Sequence, residues 1–230
     1  MPTDVDQPLD RPVWTALTSR QAHLALGDAR AVRFAPDYGV FAAAADASPE
    51  SLAALAALIP ADGQVALVET DEPPPVPGTS VVSRAAVWQM VATALTPATS
   101  ADFEIVALTD ADAPQMLALA TLTRPGPFFS RTHQLGGFVG VKTGARLIAM
   151  AGERMKPADF TEVSGVCTDP DHRGRGYAGA LMRVVAGRIL ARGETAFLHT
   201  YADNAGAIAL YRSLGFAFRR ELGMTVLSRG

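Results

Sequence analysis

A short loop rich in glycine and arginine is the part of this chain best suited to hold an anion. Residues 173–178 read Arg-Gly-Arg-Gly-Tyr-Ala and lie between an apolar segment and a segment with helical periodicity. Because Gly174 and Gly176 carry no side chain, a ligand can approach the backbone closely there. The first N–H groups of the helix that follows lack partners within the helix, so they attract negative charge. The loop therefore predicts a site for a phosphate group, and a pyrophosphate suits it.

Two elements must position this loop. Val163, Val166 and Cys167 favour a strand over residues 160–168, and Pro170 cannot continue a paired ladder. After the loop, apolar residues recur at the spacing of one helical face: Ala178, Leu181, Met182, Val185 and Ile189. The loop lacks the Gly-Lys-Ser/Thr end of a P-loop and the glycine spacing of a dinucleotide fingerprint. A strand, a tight turn, the loop and a helix are the expected order.

A second block of polar and aromatic residues follows one helix and one strand later. Residues 199–204 read His-Thr-Tyr-Ala-Asp-Asn, and residues 210–216 read Leu-Tyr-Arg-Ser-Leu-Gly-Phe at the end of a predicted helix. Together, in this order, the two blocks resemble the coenzyme A loop and the next motif of the GNAT acyl-CoA N-acyltransferases. The glycine-N-acyltransferase-like branch is the most similar in character. The resemblance covers roughly residues 103–227 and says much less about the first hundred.

The resemblance implies an α/β GNAT fold, in which a mixed, splayed central sheet carries helices on both faces. It also implies that acetyl-CoA or another acyl-CoA is the co-substrate, with no metal. The pantetheine would lie against Val166, Cys167 and Thr168, and a freed N–H of Val166 or Cys167 would polarise the thioester carbonyl. The other residues that the resemblance places on the donor are Arg173, Gly174, Arg175, Gly176, Tyr177, Ala178, Gly179 and Asn204. Asn204 is equally well read as a helix N-cap.

Three side chains are candidates for proton transfer in the reaction that the resemblance implies. Tyr211 matches the family's general acid near the sulfur, and its alternative is a core tyrosine. Glu162 is at the strand position of the general base in some family members, and its alternative is a salt-bridged carboxylate. His199 lies on the neighbouring strand, where some relatives carry a catalytic acid residue, and its alternative is a structural histidine. A relay through water is a further route for the amine proton.

Strand alternation bears on the one cysteine of the chain. In a regular strand, every second side chain shares a face. Glu162, Ser164, Val166 and Thr168 would then face the thioester, and Cys167 would point to the opposite side. We therefore do not expect Cys167 to be an acyl-enzyme nucleophile, since its backbone suffices for the role that the resemblance implies.

Composition argues against several other classes of function. The chain has 230 residues, 49% of them apolar, and a net charge of −3, which argues against a general nucleic-acid binder. A single cysteine excludes an internal disulfide, argues against a cysteine-rich zinc site and fits a reducing cytosol. The chain starts without a signal-peptide pattern, and its apolar stretches are shorter than the about 20 residues that span a bilayer. We expect a cytoplasmic protein with neither a membrane nor a nucleic-acid partner. Its local basic cluster fits one phosphate-bearing ligand and consists of Arg173, Arg175, Arg183 and Arg188.

The first hundred residues are predicted to form a smaller α/β domain, 1–100, which ends at a polar joint containing Pro97. Within it, residues 14–17 predict a strand and residues 18–26 a helix, and Ser48 is a good helix cap. This domain is either a degenerate sister of the GNAT half that covers the acceptor site, or a module for partner binding or dimerisation.

The second predicted domain, 101–230, carries the element order of the GNAT fold, β-α-α-β-β-β-α-β-α-β. Its first strand is predicted at residues 103–108, a hairpin at 137–153 and a final strand pair at 216–227.

The sequence thus predicts an N-acyltransferase that moves an acetyl group directly from acetyl-CoA to a primary amine of a small molecule or peptide, within a ternary complex. A rival of another class is a non-catalytic protein that senses acyl-CoA. Nucleotide binding at the glycine loop is a third hypothesis, and it predicts equal stabilisation by ATP and coenzyme A. A homodimer is left open.

Overall fold

The computed structural model describes residues 8–97 and 102–230. Its α-helices are α1 (Pro12–Leu17), α2 (Pro49–Leu58), α3 (Ala113–Thr123), α4 (Tyr177–Ala191) and α5 (Ala205–Leu214). Its strands are β1 (Ala25–Gly27), β2 (Ala31–Phe34), β3 (Ala42–Ala44), β4 (Gln64–Glu69), β5 (Thr79–Ala92), β6 (Val106–Ala107), β7 (Val139–Thr143), β8 (Arg146–Glu153), β9 (Phe160–Thr168), β10 (Thr195–Tyr201) and β11 (Ala217–Arg229). Within the described ranges, every helix is too short or too polar to cross a membrane.

Eight of the strands form one mixed sheet in the order β4-β11-β5-β10-β9-β8-β7-β6. Neighbouring strands are antiparallel except β9 and β10, which run parallel. Their pairing is short, from Thr195 opposite Phe160 to Phe197 opposite Glu162. Beyond Glu162 the two strands separate, so the backbone of β9 loses its neighbour on that side. This is the splayed α/β sheet of the predicted fold class.

Helices cover both faces of this sheet. On β8, Leu147 packs with Met116 of α3, whereas the next residue, Ile148, packs with Leu181 of α4. Because successive side chains of a strand point to opposite faces, α3 and α4 lie on opposite sides of the sheet. Burying each such side chain contributes about 1.5–3 kcal/mol to folding. The two apolar layers therefore fix the strands that form the site.

A bulge interrupts β9 next to the point where the sheet opens. Ser164 pairs with Gly152 and Cys167 with Met150, so two residues of β9 lie opposite one residue of β8. Gly165, one of the two, has a φ of 63°. Glycine adopts this left-handed conformation without the clash that a Cβ atom would cause.

The bulge reverses the alternation of side chains along β9. Val163 belongs to the cluster around α4, and Val166 packs against the same cluster. Cys167 instead packs in the cluster around α3, on the face of the sheet that Glu162 shares. The prediction that Val166 shares a face with Glu162, and that Cys167 faces away from both, is therefore wrong. The inserted residue is the physical reason.

The first hundred residues contribute two strands to the main sheet. β4 lies at its edge, and β5 lies between β10 and β11, where it pairs with both. The remaining strands form a separate three-stranded sheet in the order β1-β2-β3. The predicted domains 1–100 and 101–230 thus share one hydrogen-bonded sheet, and their division into two units stays a prediction.

Several element predictions are confirmed and others are corrected. Ser48 caps α2, with its Oγ accepting from the Ser51 N–H at 3.3 Å. Residues 14–17 are helical instead of extended, because Pro12 presets the first turn of α1. The predicted helix at 18–26 is a 3-10 turn followed by β1. β6 covers only two residues, and the predicted final strand pair is the single strand β11, whose partners are β4 and β5.

Candidate active site

A cavity of about 730 Å³ opens where β9 and β10 separate. Residues 163–168 and 198–201 of the two strands line it, together with the glycine loop at 172–179 and the loop at 123–127. α5 contributes a further wall. Residues from the first hundred also line the cavity: Phe41, Val68 and Val87. The site is thus built by both halves of the chain.

All the residues that were expected to bind the donor line this cavity: Val166, Cys167, Thr168, Arg173, Gly174, Arg175, Gly176, Tyr177, Ala178, Gly179 and Asn204. Their contacts with a ligand stay predictions. The basic cluster is smaller than expected, since Arg183 and Arg188 lie outside the lining. Arg183 donates from Nη2 to Thr96 Oγ1 at 2.9 Å instead.

A buried carboxylate anchors the turn that leads into the glycine loop. Asp169 accepts from the Asp171 N–H at 3.0 Å and from Arg146 Nη2 at 2.5 Å. Gly174 and Gly176 then take left-handed conformations, with φ of 76° and 78°. Gly176 is the N-cap of α4 and supplies no side-chain acceptor. The first N–H groups of α4 are therefore left for an anion.

The environment of Cys167 disfavours a nucleophilic thiolate. The side chain is buried, and this burial raises the pKa of Cys167 to about 11. Only the thiolate is a strong nucleophile, so at neutral pH the side chain is the unreactive thiol. The sequence argument from alternation is wrong, yet its conclusion has support from burial.

Glu162 is fully buried in a bidentate ion pair. Nε and Nη2 of Arg154 donate to its two oxygens, each at 2.8 Å. His199 Nδ1 lies 2.8 Å from Oε1, and the Met155 N–H lies 3.3 Å from Oε2. Burial alone would raise the pKa of Glu162, but the charge of Arg154 and the hydrogen bonds from Arg154 and His199 hold it well below its usual value. The structure shows the salt-bridged form of this residue, and its role as a base stays a prediction.

The contacts of His199 define its tautomer. Ionised Glu162 can only accept, so the proton of the imidazole is on Nδ1. Nε2 is then an acceptor, and Gln89 Nε2 lies 3.1 Å from it. The Gln89 amide cannot turn round, because its Nε2 also donates to Leu9 O at 2.9 Å and its Oε1 accepts from Arg219 Nη1 at 2.8 Å. Both ring nitrogens of His199 are therefore engaged, Nδ1 with Glu162 and Nε2 with Gln89.

These contacts join into one hydrogen-bonded chain that crosses the sheet, from Arg154 through Glu162, His199, Gln89 and Arg219 to Asp10. Sequence reasoning missed Arg154 and Gln89. The only signal was a glutamine within the apolar stretch at 86–91. Its partner on the neighbouring strand became visible only with the register of β5 against β10.

Tyr211 presents a hydroxyl group that no other described residue binds. It lines the cavity from α5, and its ring packs edge-on against Phe216 with centroids 6.4 Å apart. Burial raises the pKa of Tyr211. Asn204 precedes the same helix, and its Oδ1 accepts from the Ala207 N–H at 3.2 Å. This confirms the interpretation of Asn204 as the N-cap of α5.

Comparisons with known proteins agree with this geometry. Residues 138–223 match the family of FR47-like proteins. A solved structure of a candidate acetyltransferase from the GNAT family of Novosphingobium aromaticivorans is 47% identical, with a TM-score of 0.91, and the match covers 98% of this chain and 100% of that one. A GCN5-related N-acetyltransferase from Kribbella flavida, 20% identical over 94% of this chain and 95% of that one, shares the fold with a TM-score of 0.62.

A curated relative is similar over a shorter part of the chain. The N-alpha-acetyltransferase RimI of Mycobacterium tuberculosis is 37% identical over 83 residues, which are 34% of this chain and 51% of that protein. The chain thus matches about half the length of this curated relative. The finer assignment to a glycine-N-acyltransferase-like branch is not confirmed and stays a prediction. The full-length similarity, the splayed sheet and the cavity within it lead to one conclusion: the chain belongs to the GNAT family of acetyltransferases.

Proposed function

We propose that this acetyltransferase takes the acetyl group from acetyl-CoA and passes it directly to a primary amine in a ternary complex. One observation carries the proposal. A single cavity contains the glycine loop, the opened edge of β9, the Tyr211 hydroxyl and, beyond them, residues of the first hundred. Such a cavity can hold a donor and an acceptor together, which direct transfer requires.

The donor is held by backbone groups in this proposal. The pyrophosphate lies at the N-terminus of α4, where the helix dipole and the N–H groups favour an anion. The pantetheine lies along β9 where β10 has departed. The thioester carbonyl then accepts from an N–H of Val166 or Cys167, which stabilises the oxyanion as the amine adds.

The amine must be neutral to attack, and its nitrogen loses one proton as the amide forms. The amine nitrogen forms a bond with the thioester carbon, and the carbon–sulfur bond then breaks to release the thiolate of coenzyme A. Tyr211 stands beside the leaving sulfur. A thiol has a pKa of about 8.5 and a tyrosine one of about 10, and burial raises the value for Tyr211 further. Tyr211 is therefore expected to hydrogen-bond the thiolate instead of protonating it fully.

His199 is the proposed acceptor of the amine proton, with Glu162 supporting it. A proton arriving at this pair resides on the imidazole, because ionised Glu162 stabilises an imidazolium across a 2.8 Å hydrogen bond. Nε2 must first release Gln89, which lies 3.1 Å away. A water molecule that carries the proton out of the cavity is the alternative route.

Thermal unfolding with acetyl-CoA, coenzyme A and ATP at equal concentrations tests the donor site. A ligand at about 100 times its Kd stabilises by about 2.7 kcal/mol, which raises the Tm of a chain this long by roughly 5–10 °C. Gly176→Ala places a Cβ in the left-handed N-cap of α4, so we expect it to remove most of the rise. Gly187→Ala, in the same helix with open space around it, is the matched control. Equal stabilisation by ATP would contradict the donor assignment.

Turnover separates the enzyme from its rival, a non-catalytic acyl-CoA sensor. The engagement of both Glu162 and His199 is the observation that favours the rival. Thiol release from acetyl-CoA, measured over a panel of primary amines, decides between them. Amine-dependent release supports the enzyme. Stabilisation by acetyl-CoA without release from any amine supports the sensor.

A further inference from the structure

The cavity continues past the opened edge of β9 to a wall that takes no part in the proposed donor site. Two kinds of side chain form this wall. Phe41, Val68, Val87 and Met224 are apolar, whereas Arg154 is charged. Three of the apolar residues belong to the first hundred residues of the chain. The sequence leaves two roles open for that part: covering the acceptor site, or binding a partner or a second copy. The chemistry of this wall therefore indicates which class of amine the site accepts.

Only part of the Arg154 guanidinium is hydrogen-bonded to Glu162. Its Nε and Nη2 bind Glu162, but Nη1 has no hydrogen-bond partner among the described residues. The guanidinium of Arg154 also lies over the Phe41 ring, with its central carbon 4.7 Å from the ring centroid. This contact restricts the orientation of the guanidinium plane. The side chain is 11% exposed and lines the cavity.

The arginine side chains that line the cavity give it positive charge. Arg124, Arg154, Arg173 and Arg175 line it, and within residues 8–97 and 102–230 the lining contains neither aspartate nor glutamate. Arg173 and Arg175 lie in the glycine loop, at the donor end. Arg154 is the cation among the apolar residues of the far wall. An acceptor with a second positive charge would meet no counter-ion here, whereas a carboxylate would meet Nη1.

We propose that the acceptor is an amine that also carries a carboxylate and an apolar side chain, which describes a free apolar amino acid. The inference rests on the proposed function. The carboxylate accepts from Arg154 Nη1, and the side chain lies against Phe41, Val68 and Val87. Glu162 takes the other edge of the guanidinium and so holds Nη1 toward the cavity. Arg154 is then a specificity-determining residue.

Matched pairs of amines test this directly. Phenylalanine and 2-phenylethylamine differ only in the carboxylate, as do leucine and 3-methylbutylamine. We expect kcat/KM to be at least about tenfold higher for the amino acid of each pair, because a charge-assisted hydrogen bond is lost with the carboxylate. Phenylalanine amide and a peptide with a leucine N-terminus extend the series. Equal or better turnover of the amines without a carboxylate overturns the inference and leaves the proposed function standing.

A double substitution that removes the charges of Arg154 and Glu162 tests whether Arg154 determines specificity. Arg154→Gln alone would leave buried Glu162 with fewer donors, so Arg154→Gln is combined with Glu162→Gln. We expect the preference for the carboxylate to fall about tenfold in the double variant. The matched control combines Arg11→Gln with Glu69→Gln, which removes another arginine–glutamate pair that lies outside the cavity lining. An unchanged preference in the first variant contradicts the role of Arg154. If that variant does not fold, the wild-type pairs decide alone.

A binding measurement tests the carboxylate site without relying on acetyl transfer. Phenylalanine and 2-phenylethylamine are titrated calorimetrically into the protein saturated with coenzyme A. Tighter binding of phenylalanine supports the carboxylate site even if no acetyl transfer occurs, in which case only the proposed function fails. Equal binding of the two, or tighter binding of the amine, rejects the site.

Discussion

At the scale of single residues, the hydroxyl of Tyr211 has the most direct role in the proposed chemistry. Tyr211→Phe removes the hydrogen bond to the leaving thiolate and leaves the ring in place. We expect kcat to fall by about 100-fold, which is typical of losing one hydrogen-bond donor to a developing anion, while acetyl-CoA binding stays within threefold. Steady-state kinetics and a thermal shift measure the two effects. Tyr38→Phe, outside the cavity lining, is the control, and a kcat within a factor of two for Tyr211→Phe would refute the role.

Cys167 is expected to be dispensable for chemistry. Burial raises its pKa to about 11, so the thiolate is scarce at neutral pH. We expect Cys167→Ala to keep kcat within about twofold of the wild type and to lower stability slightly, because it leaves a small cavity beside α3. Turnover and Tm measured on the same preparation check both. Loss of turnover with full acetyl-CoA binding would mean that the thiol takes part.

Glu194 is a residue whose titration contributes to stability. Burial tends to raise its pKa, but hydrogen bonds from Arg192, Thr161 and Arg20 lower it from 4.5 to about 2. Between these values the unfolded chain binds more protons than the folded one, so stability rises with pH there. The contribution is complete above pH 4.5 and is lost as the pH falls toward 2. We expect Glu194→Gln to unfold with a shallower acid dependence over this window, as measured by urea titrations at several pH values.

At the scale of elements, the bulge in β9 determines which side chains face which helix. Gly165→Ala would place a Cβ 2.9 Å from Phe138 in a left-handed conformation. We expect a loss of stability of about 2 kcal/mol and a raised KM for acetyl-CoA, because the strand that faces the thioester must shift. Gly144→Ala has a similar φ of 58° with open space around it. This control should lose about 1 kcal/mol and keep its KM. Equal effects of the two substitutions would mean that the bulge is unimportant for the site.

At the scale of the whole molecule, the insertion of β5 makes the two halves depend on each other. β5 pairs with β10 on one side and with β11 on the other, and Gln89 reaches His199 from it. A chain of residues 101–230 would leave β11 without either of its partners and β10 without one, and it would expose much of the core. We expect it to lack a cooperative thermal transition, and co-expression with residues 1–100 to restore one. Cooperative unfolding of 101–230 alone would support the two independent domains that the sequence predicts.

The sequence by itself determined the local features of the donor site. The glycine loop, the strand before it and the amphipathic helix after it depend on neighbours within a few residues, and β9 and α4 lie where the sequence predicts them. For the same reason the cap at Asn204 and the placement of the donor residues around one cavity could be predicted from two short blocks.

Only the tertiary structure decided the rest, because it depends on pairings between residues that are far apart in the chain. Gln89 meets His199 through the register of β5 against β10, and Arg154 meets Glu162 one residue beyond the last pair of β8 and β9. Neither sequence nor strand period reveals such partners. The bulge at Gly165 likewise reversed the faces of Val166 and Cys167, since one extra residue shifts every later side chain of a strand to the other side.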